Sequence, residues 1–322
     1  MFNKKNILPL CGFLFLFCGF LFHSTAQDST FYDSADEEPV AGTPWERKGF
    51  EFSIGGNVYF ASKKNANYYN GAPENNINFN LLWKNEYRRR EIETLLREKY
   101  RYVGADGSID FSNDYNYDAT YNLAMDVALG MKYRFHKNWY LELSYSFRRL
   151  TVQNYFFFKF PDVLDGNKEN PPYSDNESFV AKEDRHYIDL SVGYIFQKHT
   201  IVKPFLSLGA QFTYIRIKEF NVVIENQPYD LMHMARNPNY QPGVQDETYY
   251  MDWSGPGYGF LFTAGIKIAF SKMVSLDPIF QMSVASFGNS SSKLPNFNTA
   301  FCFNYIAGVR LVVSDGFFSR NK

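Results

Sequence analysis

Five acids and five bases stand at alternate positions inside otherwise apolar segments of the chain: Glu51, Asp126, Glu142, Asp189 and Asp277, with Lys132, Arg134, Arg148, Lys267 and Arg310. Charges in such surroundings are tolerated only when they are paired and hydrogen-bonded. Their equal numbers predict a network of salt bridges on one shared face; a proton or ion path through the same groups is the alternative use.

Other chemistry is sparse. His136, His186, His199 and His233 are the histidines beyond the N-terminal region, and His186 has Asp184 nearby with Ser174 or Ser178 in reach along the chain. These residue types can build a hydrolase site, but no motif surrounds them. Asp106, Asp110 and Asp114 repeat every four residues, which lacks the alternation of a calcium loop and reads as turn chemistry. The reading is of a protein that is not an enzyme, with no cofactor and no metal site.

The N-terminus has the plan of a secretory signal: Lys4 and Lys5, an apolar run from Ile7 to Phe22, then Ser24-Thr25-Ala26 before Gln27. The apolar run is shorter than the ~20 residues of a spanning helix. Cleavage after residue 26 removes Cys11 and Cys18, so Cys302 is left without an intrachain partner. A lipid anchor at Cys18 is disfavoured by Phe17 before it. Formal net charge is −1, and loss of Lys4 and Lys5 makes it −3, which argues against a nucleic-acid partner. Aromatic residues reach 19%, a surplus suited to an interface between lipid and water.

The elements that must hold the charges are strands. Tyr121, Leu123, Met125, Val127, Leu129, Met131, Tyr133 and Phe135 share one face of a segment whose other face carries Asp126, Lys132 and Arg134. The run from Phe301 to Val313 repeats the pattern. Six more segments obey it, at 50–60, 139–147, 188–196, 204–214, 260–270 and 276–284, giving eight. Each supplies the roughly ten residues that cross an apolar band at a tilt. Short links at 136–138, 198–201 and 271–273 alternate with long or variable ones at 62–120, 161–184, 221–257 and 288–299. The expected fold is all-β: a transmembrane antiparallel up-and-down barrel of about eight strands, 49–313, with a side-chain-filled lumen and outer-membrane lipid outside. Pro204 and Pro278 fall near the short-turn rim. A secreted soluble sandwich shares the alternation but not the strand length or the turn asymmetry. Residues 27–48 and 314–322 are read as periplasmic flanks, the first with an acidic tether from Asp28 to Glu38.

Within the first long loop, residues 83–100 change to helical period through Ile92, Leu95, Leu96 and Tyr100, with Glu86–Arg90 and Glu93–Arg97 four apart. A short amphipathic helix is expected, either a lid or loop packing. Trp83, Tyr87, Ile92, Leu95, Leu96 and Tyr100 are its candidate contacts for a protein partner. Strand extensions through 151–160 and 220–224 are expected to stand above the membrane, with a ninth and tenth membrane strand as the alternative.

The Ala26-Gln27 junction, the eight amphipathic strands and a last strand carrying Gly308, Leu311 and Val313 resemble the small outer-membrane β-barrel domains grouped with the PorT-like and OmpX-like families. The PorT-like resemblance implies a part in protein secretion across the outer membrane, and the OmpX-like one a structural or adhesive role. The chain departs from the pattern in its large first loop and in the tail after Val313, where Phe317 and Phe318 stand in for a terminal aromatic.

Overall fold

The computed structural model describes residues 48–100, 119–158, 177–196, 202–237, 253–271, 273–287 and 301–314. The signal and acidic lead, the 106–114 aspartates, Ser174, His199, Phe317 and Phe318 lie outside the described residues.

The strands are β1 (Gly49–Phe60), β2 (Thr120–Tyr121), β3 (Ala124–Arg134), β4 (Trp139–Phe156), β5 (Glu177–Ile195), β6 (Val202–Ile224), β7 (Gln227–Asp230), β8 (Ser254–Ala269), β9 (Val274–Phe287) and β10 (Cys302–Ser314). Eight of them close into a ring in the order β4-β3-β1-β10-β9-β8-β6-β5, sealed by pairing of β5 back to β4. All pairs are antiparallel. The two-residue β2 and four-residue β7 lie off the ring on β4 and β6, so they are not further membrane strands.

Burial alternates along the lower stretch of the ring strands, but its sense there is inverted relative to a soluble protein. Leu143, Leu190, Leu208 and Phe260 are exposed, whereas Glu51, Asp126, Lys132 and Glu142 are buried. An exposed apolar surface that encircles a closed ring has no stable home in water, and its natural solvent is lipid. Aromatic rings gather at the short-turn rim, where Phe50 packs on Tyr133 at 4.8 Å and Trp139 on Tyr194 at 5.1 Å. This is an outer-membrane β-barrel, which places the chain in the Gram-negative outer membrane. At the short-turn rim His136 and Trp139 exchange backbone hydrogen bonds, and Ser271 Oγ accepts from the Met273 and Val274 amides.

The opposite rim carries the long connections. Between β1 and β2 the chain forms α1 (Lys63–Ala66), a 3-10 turn (Asn67–Tyr69), α2 (Phe79–Lys84) and α3 (Glu86–Tyr100); α4 (Leu231–Arg236) follows β7. The expected single helix over 83–100 is therefore two. Asn85 is extended and turns its side chain to cap the new start, accepting from the Arg88 amide at 3.0 Å. Glu86 pairs with Arg90 at 2.5 Å as expected, while Glu93 meets Arg89 at 3.9 Å.

These helices pack with the upper parts of β4, β5, β6 and β7 around one apolar cluster that includes Phe79, Ile92, Phe156, Phe179, Phe220 and Tyr229. Gly71 has a positive φ of 75°, and the Phe179 ring occupies the space a Cβ would need there. Through residue 100 the described part of this connection thus forms a folded cap.

Candidate functional site: the lumen and the cap

Interior side chains meet in layers because the register sets them at matching heights. Nearest the short-turn rim, Glu51 accepts from Arg134 at 2.6 Å and from Lys267 at 2.7 Å. Lys132 lies 3.2 Å from Asp277 and over the rings of Tyr140 and Phe205. The Tyr140 ring fits because Gly193 faces it across the β4–β5 ladder and offers no side chain. In the next layer Arg310 meets Glu142 at 2.6 Å, and Asp189 accepts from Gln211 at 2.9 Å. Above that, Asp126 takes the Arg148 guanidinium and the Asn57 amide, and Arg148 is held between Tyr59 and Tyr187, with ring centroids at 4.3 and 3.8 Å.

All ten charges singled out in the sequence line this interior, and nine of them form ion pairs; Asp189 is held by an amide instead.

The uppermost layer is built from residues outside those ten. Arg185 lies directly opposite Arg148 across β4 and β5, a like-charge juxtaposition that is unfavourable without compensation. Each cation has its own acid: Asp126 serves Arg148, and Glu183 meets Arg185 at 2.5 Å. Arg185 also donates to the hydroxyls of Tyr121 at 2.8 Å and Tyr59 at 3.3 Å, while the Tyr69 hydroxyl donates to Glu183. Tyr69 comes from the 3-10 turn, so this layer ties the cap to the barrel. The available signal was parity, since 183, 185 and 187 fall on the same face as Asp189.

Tyr121 is a correction. It was placed on the lipid face with Leu123 and Met125, but pairing breaks at Asn122–Leu123, and Tyr121 turns inward to Arg185. The first-loop residues expected to meet a partner also divide. Ile92 and Leu96 are fully buried in the cap core, and Trp83 stacks on Phe79 at 6.0 Å, so these residues hold the helix down. Tyr87, 49% exposed, and the half-buried Leu95 remain at the surface, in a shallow groove with Glu86, Arg90, Glu91 and Thr94. The side chain of Tyr100 lies outside the described residues.

Among the described residues named in the sequence, no hydrolase arrangement assembles. His186 Nδ1 lies 2.8 Å from the Tyr145 hydroxyl on the lipid-facing side, and Asp184 is held by Arg149 at 2.8 Å. Cys302 is buried at the cap boundary and donates to Asn65 Oδ1 at 3.3 Å. Among the described residues no cluster of three His, Cys, Asp or Glu could hold a metal ion.

No family model matches the chain, and no curated protein does. Solved structures similar to it include Ail, the attachment invasion locus protein of Yersinia pestis, in complex with the heparin analogue sucrose octasulfate, at 10% identity and TM-score 0.34 over 83% of this chain and 99% of that one. Neisserial surface protein A is similar at 13% identity and TM-score 0.33 over 82% and 96%. OprG from Pseudomonas aeruginosa is similar at 11% and 0.34 over 83% and 98%.

Proposed function

We propose that this protein is a closed, non-enzymatic surface anchor: the barrel fixes it in the outer membrane, and the cap presents a rigid binding face to the exterior. The observation that carries the reading is the Arg185–Glu183–Tyr69–Tyr121 layer, which fills the lumen just below the cap and bonds to it. Eight strands leave an interior that side chains alone can fill, so ions have no wide path. A rigid platform spends little conformational entropy on binding, which suits adhesion or partner capture. The exposed part of the platform is the outer surface of α3 around Tyr87.

Planar-bilayer recording of the refolded chain tests the closure, and no discrete conductance steps are expected; steps in the nanosiemens range would refute it. For the binding role, cells displaying the full chain are expected to adhere more strongly than cells displaying a Tyr87→Ala/Leu95→Ala variant with an intact barrel. Equal adhesion would count against this face. Co-purification of the chain with secretion components in mild detergent would favour the PorT-like role over adhesion.

A further inference from the structure

Just above the lipid-facing aromatics, the outer surface of β4, β5 and β6 carries a compact cationic patch. The register defines it. Phe147, His186 and Tyr214 form one outward row across the three strands, and the next row toward the exterior is Arg149, Asp184 and Arg216. A bulge in β6 opposite Lys182/Glu183 inserts Lys218 as an extra residue. Lys218 then lies 3.8 Å from Asp184, and Lys182 follows in the row above, paired with Glu219 at 2.8 Å.

Asp184 organises the patch. It is buried, with 7% of its side chain exposed, and it receives Arg149 through Nε at 2.8 Å and Nη2 at 3.3 Å. The cations around it stand outward, Arg149 at 64% and Lys218 at 38% exposed. Four cations against Asp184 and Glu219 leave the patch at net +2. Arg149 and Arg216 flank Asp184 from the two adjacent strands, which sets their backbones about 10 Å apart from each other. The outward residues at the same rim on the other five strands, or immediately before them, are uncharged: Phe60, Leu123, Met125, Tyr258, Val284 and Phe301.

We infer that this patch binds the phosphate groups of an outer-leaflet glycolipid, with the acyl chains lying on Tyr145, Ile188 and Phe212 below it. The position selects the ligand: a basic cluster immediately beyond the apolar band lies at headgroup depth, on the extracellular side, where phosphorylated glycolipid is the anionic species. Several cations held apart by a buried acid fit a headgroup with more than one phosphate, and arginine matches phosphate geometry in particular. The inference rests on the proposed orientation, with the short turns in the periplasm and the cap outside, and heat-modifiable gel mobility of each sample reports separately on the folded barrel.

Native mass spectrometry of the full chain in detergent, with added diphosphoryl lipid A, tests it. At least tenfold weaker retention is expected for lipid A stripped of phosphate, and for the Arg149→Gln/Arg216→Gln/Lys218→Gln variant with diphosphoryl lipid A. An Arg89→Gln/Arg90→Gln control on α3 is expected to bind like the parent. Equal retention of the phosphate-free lipid, or unchanged binding by the triple variant, would overturn the site. Equal retention of phosphatidylglycerol would overturn the glycolipid assignment. If the triple variant shows no folded band, the two lipid comparisons on the parent chain decide the question.

Discussion

The lower and upper halves of β4, β5 and β6 follow opposite rules. Below, β4 turns Glu142, Ser144, Ser146 and Arg148 inward and Leu141, Leu143 and Tyr145 outward; above, it turns Leu150 and Val152 inward and Arg149 and Gln153 outward. The change falls within two residues. β6 behaves likewise, with Gln211 and Thr213 inside below and Ile215, Ile217, Phe220 and Val222 inside above. One continuous ladder serves both halves, so the solvent outside decides which face is polar: lipid below, water above. The β6 bulge is part of this design. Ile215 and Ile217 are odd-numbered, while Phe220, Val222 and Ile224 are even-numbered, and one extra residue keeps all five facing inward.

The largest expected effect comes from the buried charges of the lower half. Arg148→Met strands Asp126 in the lumen and is expected to cost about 4 kcal/mol, read as a lowered urea midpoint of heat-modifiable mobility. The Asp126→Leu/Arg148→Met double variant is expected to recover most of that loss; a loss equal to the sum of the single variants would mean that the pair is not coupled.

The upper half is expected to fail locally. Ile92→Ala removes a fully buried side chain from the cap core, at about 3 kcal/mol. Proteolysis within 86–100 should accelerate while the barrel keeps its mobility shift. If the barrel destabilised in parallel, the two halves would be one cooperative unit.

A single charge sharpens the contrast further. Leu143→Arg, on the lipid face, is expected to destabilise the barrel by about 2 kcal/mol, and Gln153→Arg, ten residues along the same strand, by less than about 0.5 kcal/mol. Similar costs would place the lipid boundary elsewhere.

The smallest effect is on pH. Glu177 opens β5 in the cap, where burial raises its carboxyl to about 8, and nearby Glu225 adds repulsion, although the Glu225 amide donates to it at 2.9 Å. Folding then favours the protonated form. Cap stability is full below the ordinary value near 4.5 and declines as pH rises toward about 8. Screening at the water-facing hairpin limits the change to about 1 kcal/mol. Proteolysis of the cap from pH 5 to 8.5 should show it, and Glu177→Gln should flatten the profile.

Most of the barrel was legible because lipid imposes strict alternation: the eight ring strands and the ten lumen charges follow from parity alone. What was hidden lies where the rule inverts. Lys182-Glu183-Asp184-Arg185 places four charges in succession, so apolar alternation disappears at the boundary. β5 was read as starting at Ile188 when it begins at Glu177, and Glu183 and Arg185 were lost with it. The cap was legible as a helix but not as a core, because its partners Phe156, Phe179 and Phe220 are distant in sequence and belong to three strands.

The most direct test of the inversion is depth-dependent quenching along β4. Single cysteines at 141, 143, 145, 149 and 153, in a Cys302→Ser background, would carry an environment-sensitive fluorophore in vesicles of lipids brominated on their acyl chains. Strong quenching at 141, 143 and 145 with little at 149 and 153 is the predicted result. Quenching that continues undiminished through 153 would show that lipid covers the upper half as well, and would contradict the account.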